Sequence, residues 1–474
     1  MVRSARTFPA TFAFVSLGCP KNLVDSERAL AALTAAGLPL TDDPGEADAI
    51  VINTCGFIQD AVDESTEVIE QALALRREGS CRRVVVVGCL SQRFGPGDLL
   101  PLRQADALFG VLDAGTVKAL VEYLRQELVG GPPAEEPGLD PFTRLRLTPH
   151  HFAYLRVSEG CENRCRYCVI PDIRGPLRSR PLDELVAEAR HLVADGAVEL
   201  CLVAEDTTSY GRDCSGQTEL AALIRSLAAI DGLRWLRLLY THPAHFTDEL
   251  IETLAAEPKV CRYVDLPIQH AADRILASMG RGVTQAGIRR LIARLREVLP
   301  GLFLRTTVIV GFPGETEAHF QELLDFLSEV RFERLGAFAY SRERGTPAYD
   351  LPDQVPEEER ERRRSAVMGL QQTIAFAFNS TLLGQRLAAI VDSPAPPGTS
   401  YWLGRTYGDA PDVDGMVYLS GDDLAPGDIW EVSIVGTRGY DLVGVAERPL
   451  SQGPRTGPPA PPETGSGRMD RRSG

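Results

Sequence analysis

The chain has 474 residues, of which 44% are hydrophobic and 24% charged, and its formal net charge is -15. The length and composition are ordinary for a soluble protein of two to four domains. The acidic surplus opposes nonspecific binding to nucleic acid or anionic lipid. No run of about eighteen apolar residues occurs, so we expect no membrane-spanning segment.

The first part of the chain alternates strands and helices. TFAFVSLGC, ADAIVINTCG and RRVVVVGCL are predicted strands, the last nearly all valine, as buried parallel strands tend to be. The helical stretches NLVDSERALAALTAAG and DAVDESTEVIEQALAL separate them. This pattern predicts a doubly wound α/β domain over residues 10–128, and the Gly/Pro/Glu-rich stretch that follows predicts a linker at 129–145.

A second series of strands and helices follows the linker. Six candidate strands, from AYLRVSEG to RLGAFAYS, predict a partial TIM-type (βα)6 barrel over residues 146–378. A charged helix near 356–379 closes it, and we expect its ERERRR run at 359–364 to be a solvated face. Short strands between Gly, Pro and Asp turns predict a small all-β, OB-like barrel over 379–450. The Pro/Gly/Ser-rich residues 451–474 are expected to be a disordered tail.

Three cysteines stand at the carboxyl ends of the first predicted strands. Cys19, Cys55 and Cys89 occur in SLGC, INTCG and VVGC, each beside a glycine. Because the carboxyl ends of parallel strands share the edge where ligands bind, we expect the three thiols to converge there. Three converging thiolates suit a metal ion or an iron–sulfur cluster. The alternatives are three unrelated buried cysteines or, for Cys19, a lipid anchor after a secretory signal, which Pro9 and the following helix disfavour.

A second group of thiols is compact in the sequence. GCENRCRYC places Cys161, Cys165 and Cys168 in the loop after the first strand of the second series. Such a loop can ligate all but one iron of a cubane cluster, which leaves the last iron open to a substrate or cofactor. A zinc site is the alternative, but it normally needs a fourth protein ligand, and no His or Cys follows closely. Clustered thiols beside ordinary buried ones indicate a reducing, cytoplasmic setting.

The C-x3-C-x2-C motif, with an aromatic residue before its last cysteine, resembles that of the radical S-adenosylmethionine enzymes. The resemblance implies a [4Fe–4S] cluster held by these three cysteines, with S-adenosylmethionine on the open iron. It also implies reductive cleavage of this cofactor to a 5′-deoxyadenosyl radical that abstracts hydrogen from an unactivated carbon. We expect Tyr167 to lie over the cluster beside the adenine, and Glu205 to hold the cofactor's ammonium group.

Other polar residues near the predicted strand ends are weaker candidates. For each of them the alternative is a helix cap, a hydrogen-bonded structural histidine or a surface ion pair. They are Asp206, His242, His270, the GFPGET turn at 311–316, and the arginines Arg174, Arg178 and Arg180, which could meet an anionic group.

The order of the three domains resembles that of the methylthiotransferases over roughly residues 10–450. In that family the amino-terminal cysteines hold a second [4Fe–4S] cluster that carries the transferred sulfur, a role the resemblance assigns to Cys19, Cys55 and Cys89. One S-adenosylmethionine is the methyl donor, and another supplies the radical. The closing β domain is similar to the family's substrate-binding TRAM domain.

One branch of the family modifies an isopentenylated adenosine in transfer RNA, and the other modifies the β-carbon of an aspartate in small-subunit ribosomal protein twelve. SLGCPKNLVDSE, SEGCENRCRYCVIP, IRGPLRSRP and GRTYGDAPDVDG are similar to the ribosomal-protein branch. The first replaces a Gln-Met-Asn that the other branch has after its first cysteine. The resemblance therefore implies this protein substrate, with flavodoxin or ferredoxin as the usual reductant. A transfer-RNA enzyme, a non-catalytic iron–sulfur electron carrier and a zinc-stabilised binding module remain alternatives.

The charge of the last domain favours the protein substrate. Residues 379–450 contain ten acidic and four basic residues. The resulting negative net charge repels RNA phosphates and attracts a basic ribosomal protein. The alternative is that this charge only confers solubility. If the acidic face is a docking surface, neutralising Asp409, Asp412 and Asp414 should weaken binding of the ribosomal protein.

Overall fold

The structure, a computed structural model, describes residues 10–130 and 142–453. Within these ranges two parallel sheets and a closed barrel of strands follow one another along the chain. None of the helices described there combines the length and the apolar character needed to cross a membrane. Most of the predicted linker and tail lies outside the described residues. At the end of the linker, however, Leu145 donates a backbone hydrogen bond to Glu27 of the first domain.

The first domain is a sheet of four parallel strands with helices on both faces. Its strands pair in the order β1-β2-β3-β4. They are β1 (Phe12–Ser16), β2 (Ala49–Thr54), β3 (Arg83–Gly88) and β4 (Ala107–Leu108). The helices are α1 (Pro20–Ala35), α2 (Gln59–Arg77), α3 (Cys89–Arg93), α4 (Leu100–Gln104) and α5 (Ala114–Leu128).

A single bridge explains how the sheet is doubly wound. Leu40 pairs with Phe12 in parallel at the outer edge of β1, and the chain then crosses to β2 on the other side of β1. The direction of winding therefore reverses at β1. As a result α1 and α5 pack on one face of the sheet, and α2 and α4 pack on the other. The predicted doubly wound domain is confirmed, and its ligand-binding crevice lies at the carboxyl ends of β1 and β2.

The central domain is an open sheet of six parallel strands, in the order β12-β11-β10-β9-β8-β5. Its strands are β5 (Phe152–Arg156), β8 (Glu199–Val203), β9 (Trp235–Leu238), β10 (Val260–Asp265), β11 (Phe303–Val310) and β12 (Arg334–Ala339). A small ribbon pairs β6 (Ser158–Glu159) with β7 (Arg178–Ser179) beside it. The predicted partial (βα)6 barrel is confirmed.

Helices cover the outer face of this sheet. They are α7 (Leu182–Ala194), α9 (Leu220–Ala228), α10 (Asp248–Ala256), α11 (Asp273–Met279), α12 (Gln285–Val298), α13 (Glu317–Val330) and α14 (Glu357–Thr381). Two short helices lie in loops instead: α6 (Ile170–Arg174), which packs against Cys89 of the first domain, and α8 (Arg212–Ser215). A 3-10 turn spans Thr207–Ser209. The outer strand residues form one apolar core with these helices. The inner face stays partly open: in β11 the half-buried Arg305, Thr307 and Ile309 alternate with buried neighbours.

Helix α14 is only partly the solvated face that its ERERRR run predicts. Arg363 is 5% exposed, and its guanidinium contacts Glu315 at 2.9 Å. Arg362 is exposed, as predicted, and Arg364 is half-buried. The prediction is therefore wrong at Arg363, because a charged run does not reveal that one of its members meets a buried carboxylate.

The last domain is a closed five-stranded barrel, as predicted, with the order β13-β14-β15-β17-β16. Its strands are β13 (Arg386–Pro394), β14 (Trp402–Thr406), β15 (Val417–Ser420), β16 (Ile429–Arg438) and β17 (Asp441–Ser451). Strand β17 continues into the first residue of the predicted tail, because Ser451 pairs with Ile429. The residues from 454 onward lie outside the described ranges.

The closed barrel docks against the amino ends of the central strands, on the inner face of the open sheet. There Arg334 contacts Asp409 at 2.7 Å, and Arg305 contacts Asp414 at 3.4 Å. The two aspartate side chains are 2% and 3% exposed. The interpretation of Asp409 and Asp414 as part of a docking surface is therefore wrong. They bind arginines of the neighbouring domain, and of the three aspartates only Asp412 is exposed.

Candidate active site

Close packing of glycines brings the loops of Cys19, Cys55 and Cys89 together. A Cβ built on Gly18 would lie 2.9 Å from the Cβ of Cys55, and one on Gly56 would lie 3.2 Å from the backbone carbon of Cys89. Contacts this short leave no room for a side chain at either glycine. The predicted convergence at the edge of the first sheet is therefore present in the structure.

In this first set Cys89 is buried, and Cys19 and Cys55 are half-buried. Burial raises the pKa of Cys55, and it raises that of Cys89 to about 12. Arg174 of the central domain donates from Nη2 to the Cys89 sulfur at 3.5 Å. Buried thiols of this kind become thiolates when a metal centre replaces their protons. The donor set therefore fits a cluster, although the ligand roles stay a prediction.

The second set lies in the loop between β6 and α6. Backbone amides of Asn163 and Ile170 donate to the sulfurs of Cys161 and Cys168 at 3.4 and 3.5 Å, and Arg281 donates to Cys165 at 3.6 Å. Hydrogen bonds of this type tune the reduction potential of iron–sulfur clusters. The loop folds closely over the end of α11, where a Cβ on Gly280 would lie 2.6 Å from a backbone oxygen of the loop.

The spacing of the sulfurs is wider than a single zinc ion needs. Tetrahedral zinc–thiolate bonds place two sulfurs about 3.8 Å apart. In the part of the chain that the structure describes, no three cysteine sulfurs lie within 4.8 Å of one another. Burial raises the pKa of Cys161 to about 12 and raises that of Cys168 as well. Both sets therefore suit a larger centre better than a mononuclear zinc site.

The two predicted cofactor-binding residues have different surroundings. Tyr167 packs at the edge of a small apolar cluster, and burial raises the pKa of its phenol, which lies against Cys165. Glu205 follows β8, and its carboxylate oxygens lie 3.4 Å from Lys21 Nζ and 3.7 Å from Arg174 Nε. Both residues stay predictions as ligands of S-adenosylmethionine. Glu205 is not a free carboxylate, because it already faces two cations.

Most of the weaker candidates belong to hydrogen-bond networks. Asp206 accepts from Asn163, Ser209 and His245 at 2.7 Å each, and His245 stacks on His242. One carboxylate oxygen of Asp206 and one ring nitrogen each of His242 and His245 lie within 4.8 Å of one another. However, Arg212 contacts the other ring nitrogen of His245 at 2.6 Å, a poor setting for a metal cation.

The remaining candidates are also engaged. Glu315 of the GFPGET turn accepts from two backbone amides of that turn and lies 3.6 Å from His270 Nε2. Arg180 pairs with Glu188 at 2.5 Å, and Arg178 is exposed.

Arg174 is instead a buried link between the first and central domains. Its side chain is 1% exposed and contacts Glu159 at 2.6 Å and Asp25 at 3.1 Å. Arg156 contacts the same two carboxylates at 2.8 and 2.5 Å. The sequence reasoning missed Asp25, Lys21 and Arg156. Only the position of Lys21, two residues after Cys19, was a signal for any of them.

Comparison with known proteins agrees with this architecture. Family models match residues 155–327 (Radical SAM superfamily), 11–110 (Uncharacterized protein family UPF0004) and 383–446 (TRAM domain). A solved radical S-adenosylmethionine methyltransferase, TsrM from Kitasatospora setae, has a TM-score of 0.51 at 18% identity. That alignment covers 72% of this chain and 77% of the other, and it supports the fold alone.

Three relatives named ribosomal protein uS12 methylthiotransferase RimO are similar over nearly the whole chain. The relative from Anaeromyxobacter sp. (strain K) is 44% identical over 94% of this chain and 96% of its own length. Those from Pelotomaculum thermopropionicum and Geobacter sulfurreducens are 46% and 45% identical, each over 91% of this chain and 98% and 97% of their own lengths.

The fold and the family matches define a radical S-adenosylmethionine enzyme with a TRAM domain. The protein is a methylthiotransferase that uses S-adenosylmethionine and [4Fe–4S] clusters. Within that class, the chain belongs to the family of the ribosomal protein uS12 methylthiotransferases, RimO.

Proposed function

We propose that this enzyme transfers a methylthio group to the β-carbon of an aspartate in ribosomal protein uS12, in the cytoplasm. The observation that carries the proposal is the pair of three-cysteine sets, one in the first domain and one in the central domain, whose interface packs Cys89 against Val169 and Ile173. Each set offers three thiols, so each leaves an iron of a [4Fe–4S] cluster without a protein ligand. The substrate is the one in the names of the relatives, which are 44% to 46% identical.

In this proposal Cys161, Cys165 and Cys168 hold the cluster that binds S-adenosylmethionine. Cys19, Cys55 and Cys89 hold the second cluster. When bound, the two clusters supply the electron that cleaves S-adenosylmethionine and the sulfur that is transferred. A second S-adenosylmethionine is the methyl donor, and a flavodoxin or ferredoxin is the expected reductant.

The residues of the chain position these groups and exclude water. Arg174 and Arg156 pair with Asp25 across the interface, and all three side chains are at least nine-tenths buried. This contact holds the first domain over the carboxyl ends of β5 and β8. A dry interface protects a carbon-centred radical from side reactions. The half-open inner face of β11 leaves an approach for the substrate.

An anaerobic assay tests the proposed activity. The reconstituted enzyme is incubated with S-adenosylmethionine, a reductant and uS12, and the products are 5′-deoxyadenosine and a uS12 peptide that carries one methylthio group. An electron carrier would give neither product. A transfer-RNA enzyme would give 5′-deoxyadenosine only when transfer RNA replaces uS12. Either result would refute the proposal.

A further inference from the structure

Lys21 extends from the first domain into the cleft of the central domain. It lies in the first turn of α1, two residues after Cys19, and it is 7% exposed. Its Nζ lies 3.8 Å from the centre of the Tyr240 ring, 3.4 Å from Glu205 Oε2 and 3.5 Å from the backbone oxygen of Ala204. A single ammonium group thus bridges the edge that carries Cys19 and the end of β8.

These contacts leave the ammonium group with unused hydrogen-bonding capacity. It has three N–H donors, and a charge-assisted N–H···O bond is typically about 2.7–2.9 Å long. Both oxygens near Nζ are farther away, at 3.4 and 3.5 Å. The neighbouring arginines are held more tightly, since Arg156 reaches Asp25 at 2.5 Å and Arg174 reaches Glu159 at 2.6 Å. One more oxygen acceptor would therefore complete the environment of Lys21.

The choice of lysine at this position is unusual for the chain. Of its 50 basic residues only three are lysines, at positions 21, 118 and 259. The other described ion pairs in the interior use arginine or histidine, for example Arg237 with Glu199 and His270 with Glu315. Arginine suits fixed, forked contacts, whereas lysine offers a compact charge whose donors can turn toward an incoming ligand. Lys21 is also the buried one of the three.

The residue that lies under Lys21 is only partly buried. Tyr240, which lies under the ammonium group, is half-buried and has a left-handed backbone with φ of 58°. Such strain in a residue other than glycine is frequent at functional sites. Thr307 and Ile309 of β11 are half-buried on the inner face of the open sheet. Lys21 thus lies against a strained and only partly buried residue just after β9.

We propose that Lys21 binds the carboxylate of the aspartate that is modified. This inference rests on the proposed function and adds the residue that selects the substrate's functional group. The carboxylate of an aspartate is bonded directly to its β-carbon, so holding it fixes the carbon whose C–H bond reacts. Glu205 is the anion nearest to Lys21, and it also lies 3.7 Å from Arg174. Because Glu205 has this second cation, Lys21 can contact both the Glu205 carboxylate and that of the substrate.

The test compares uS12 with its Asp→Asn variant at the modified position. Equilibrium binding and kcat/KM are measured with reconstituted wild-type enzyme and with K21M, K21Q and K21R, while K259M is the matched control. We expect wild type and K259M to prefer the aspartate form by at least about tenfold. K21M and K21Q should lose this preference because their affinity and kcat/KM for the aspartate form fall. K21R should retain part of the preference.

Two readouts keep the inference distinct from the proposed function and from misfolding. Iron content and the affinity for S-adenosylmethionine should be unchanged in K21M and K21Q. If these variants lose S-adenosylmethionine and still prefer aspartate, the carboxylate at Lys21 belongs to the cofactor and the inference is refuted. A preference and cofactor affinity that both equal wild type also refute it. If wild-type enzyme does not modify uS12, the proposed function itself fails.

Discussion

Replacing Arg174 with glutamine removes the buried link between the first and central domains. Its guanidinium contacts Asp25 and Glu159 and also donates to the Cys89 sulfur, at 3.5 Å. In R174Q the buried Asp25 and the half-buried Glu159 share one remaining cation, Arg156. Breaking a buried ion pair by removal of one partner costs about 3–5 kcal/mol. Because Arg156 stays in place, we expect the lower end, about 3 kcal/mol.

Hydrogen exchange measures this loss at the domain interface. The backbone amide of Leu147 donates to Glu27 across the interface at 2.9 Å, so its exchange reports how often the two domains separate. A loss of about 3 kcal/mol speeds this exchange by roughly a hundredfold. R178Q is the matched control, because Arg178 is exposed and lies in the same segment. Equal exchange in R174Q and R178Q would refute the assignment of Arg174 as the link.

The same variant should shift the potential of the cluster that we propose in the first domain. Removing a cation and a hydrogen-bond donor from a ligand sulfur disfavours the reduced, more negative cluster. A difference of about 1.4 kcal/mol corresponds to about 60 mV for one electron. We expect the midpoint potential of R174Q to be lower by about this amount, measured by electron paramagnetic resonance in a background without the cysteines of the second set. An unchanged or higher potential would contradict the contact with Cys89.

Three further predictions follow from packing and charge. In G18A the added methyl meets Cys55, and φ at Gly18 is +91°. The variant should therefore bind roughly half the iron of wild type. The control G79A, where φ is +80° and nothing lies within 4 Å, should bind all of it. In G408A the methyl would lie 2.4 Å from the Phe303 ring of the central domain. Thermal unfolding should therefore show a loss of about 1–3 kcal/mol in stability. An unchanged stability would contradict the docking of the barrel on the central domain. Burial and the nearby Arg281 lower the pKa of His242 to about 3. The neutral imidazole therefore contributes folding stability that is complete above pH about 6.5 and is lost as the pH falls toward 3. Its carbon-13 resonance should stay that of neutral imidazole down to pH about 5, and titration near 6.5 would contradict its burial.

The sequence was most informative where a local pattern has one physical meaning. The valine-rich run that becomes β3 is hydrophobic on both faces, as a central parallel strand must be. The glycines beside Cys19, Cys55 and Cys89 indicated close approach of the backbone, and the structure has that approach at Gly18 and Gly56. The short spacing in GCENRCRYC keeps its three thiols in one loop whatever the rest of the chain does.

Contacts between distant segments were outside the reach of this reasoning. Asp25 meets Arg174 although 149 residues separate them, and Lys21 lies 183 residues before Ala204. Nothing in either segment indicates such a partner. For the same reason the count of acidic residues could not show that Asp409 and Asp414 face arginines of the central domain. Leu40 pairs through a single bridge, which is too short to give a strand pattern.

The most direct test of the central claim is mass spectrometry on cells that lack this protein. The aspartate-bearing peptide of uS12 and the modified adenosines of transfer RNA are measured in the same cells, with and without a restored copy of the protein. We predict that the uS12 peptide loses one methylthio group and regains it on restoration, while the adenosines stay unchanged. Loss of the methylthio group from the adenosines, with an unchanged uS12 peptide, would contradict the proposed substrate.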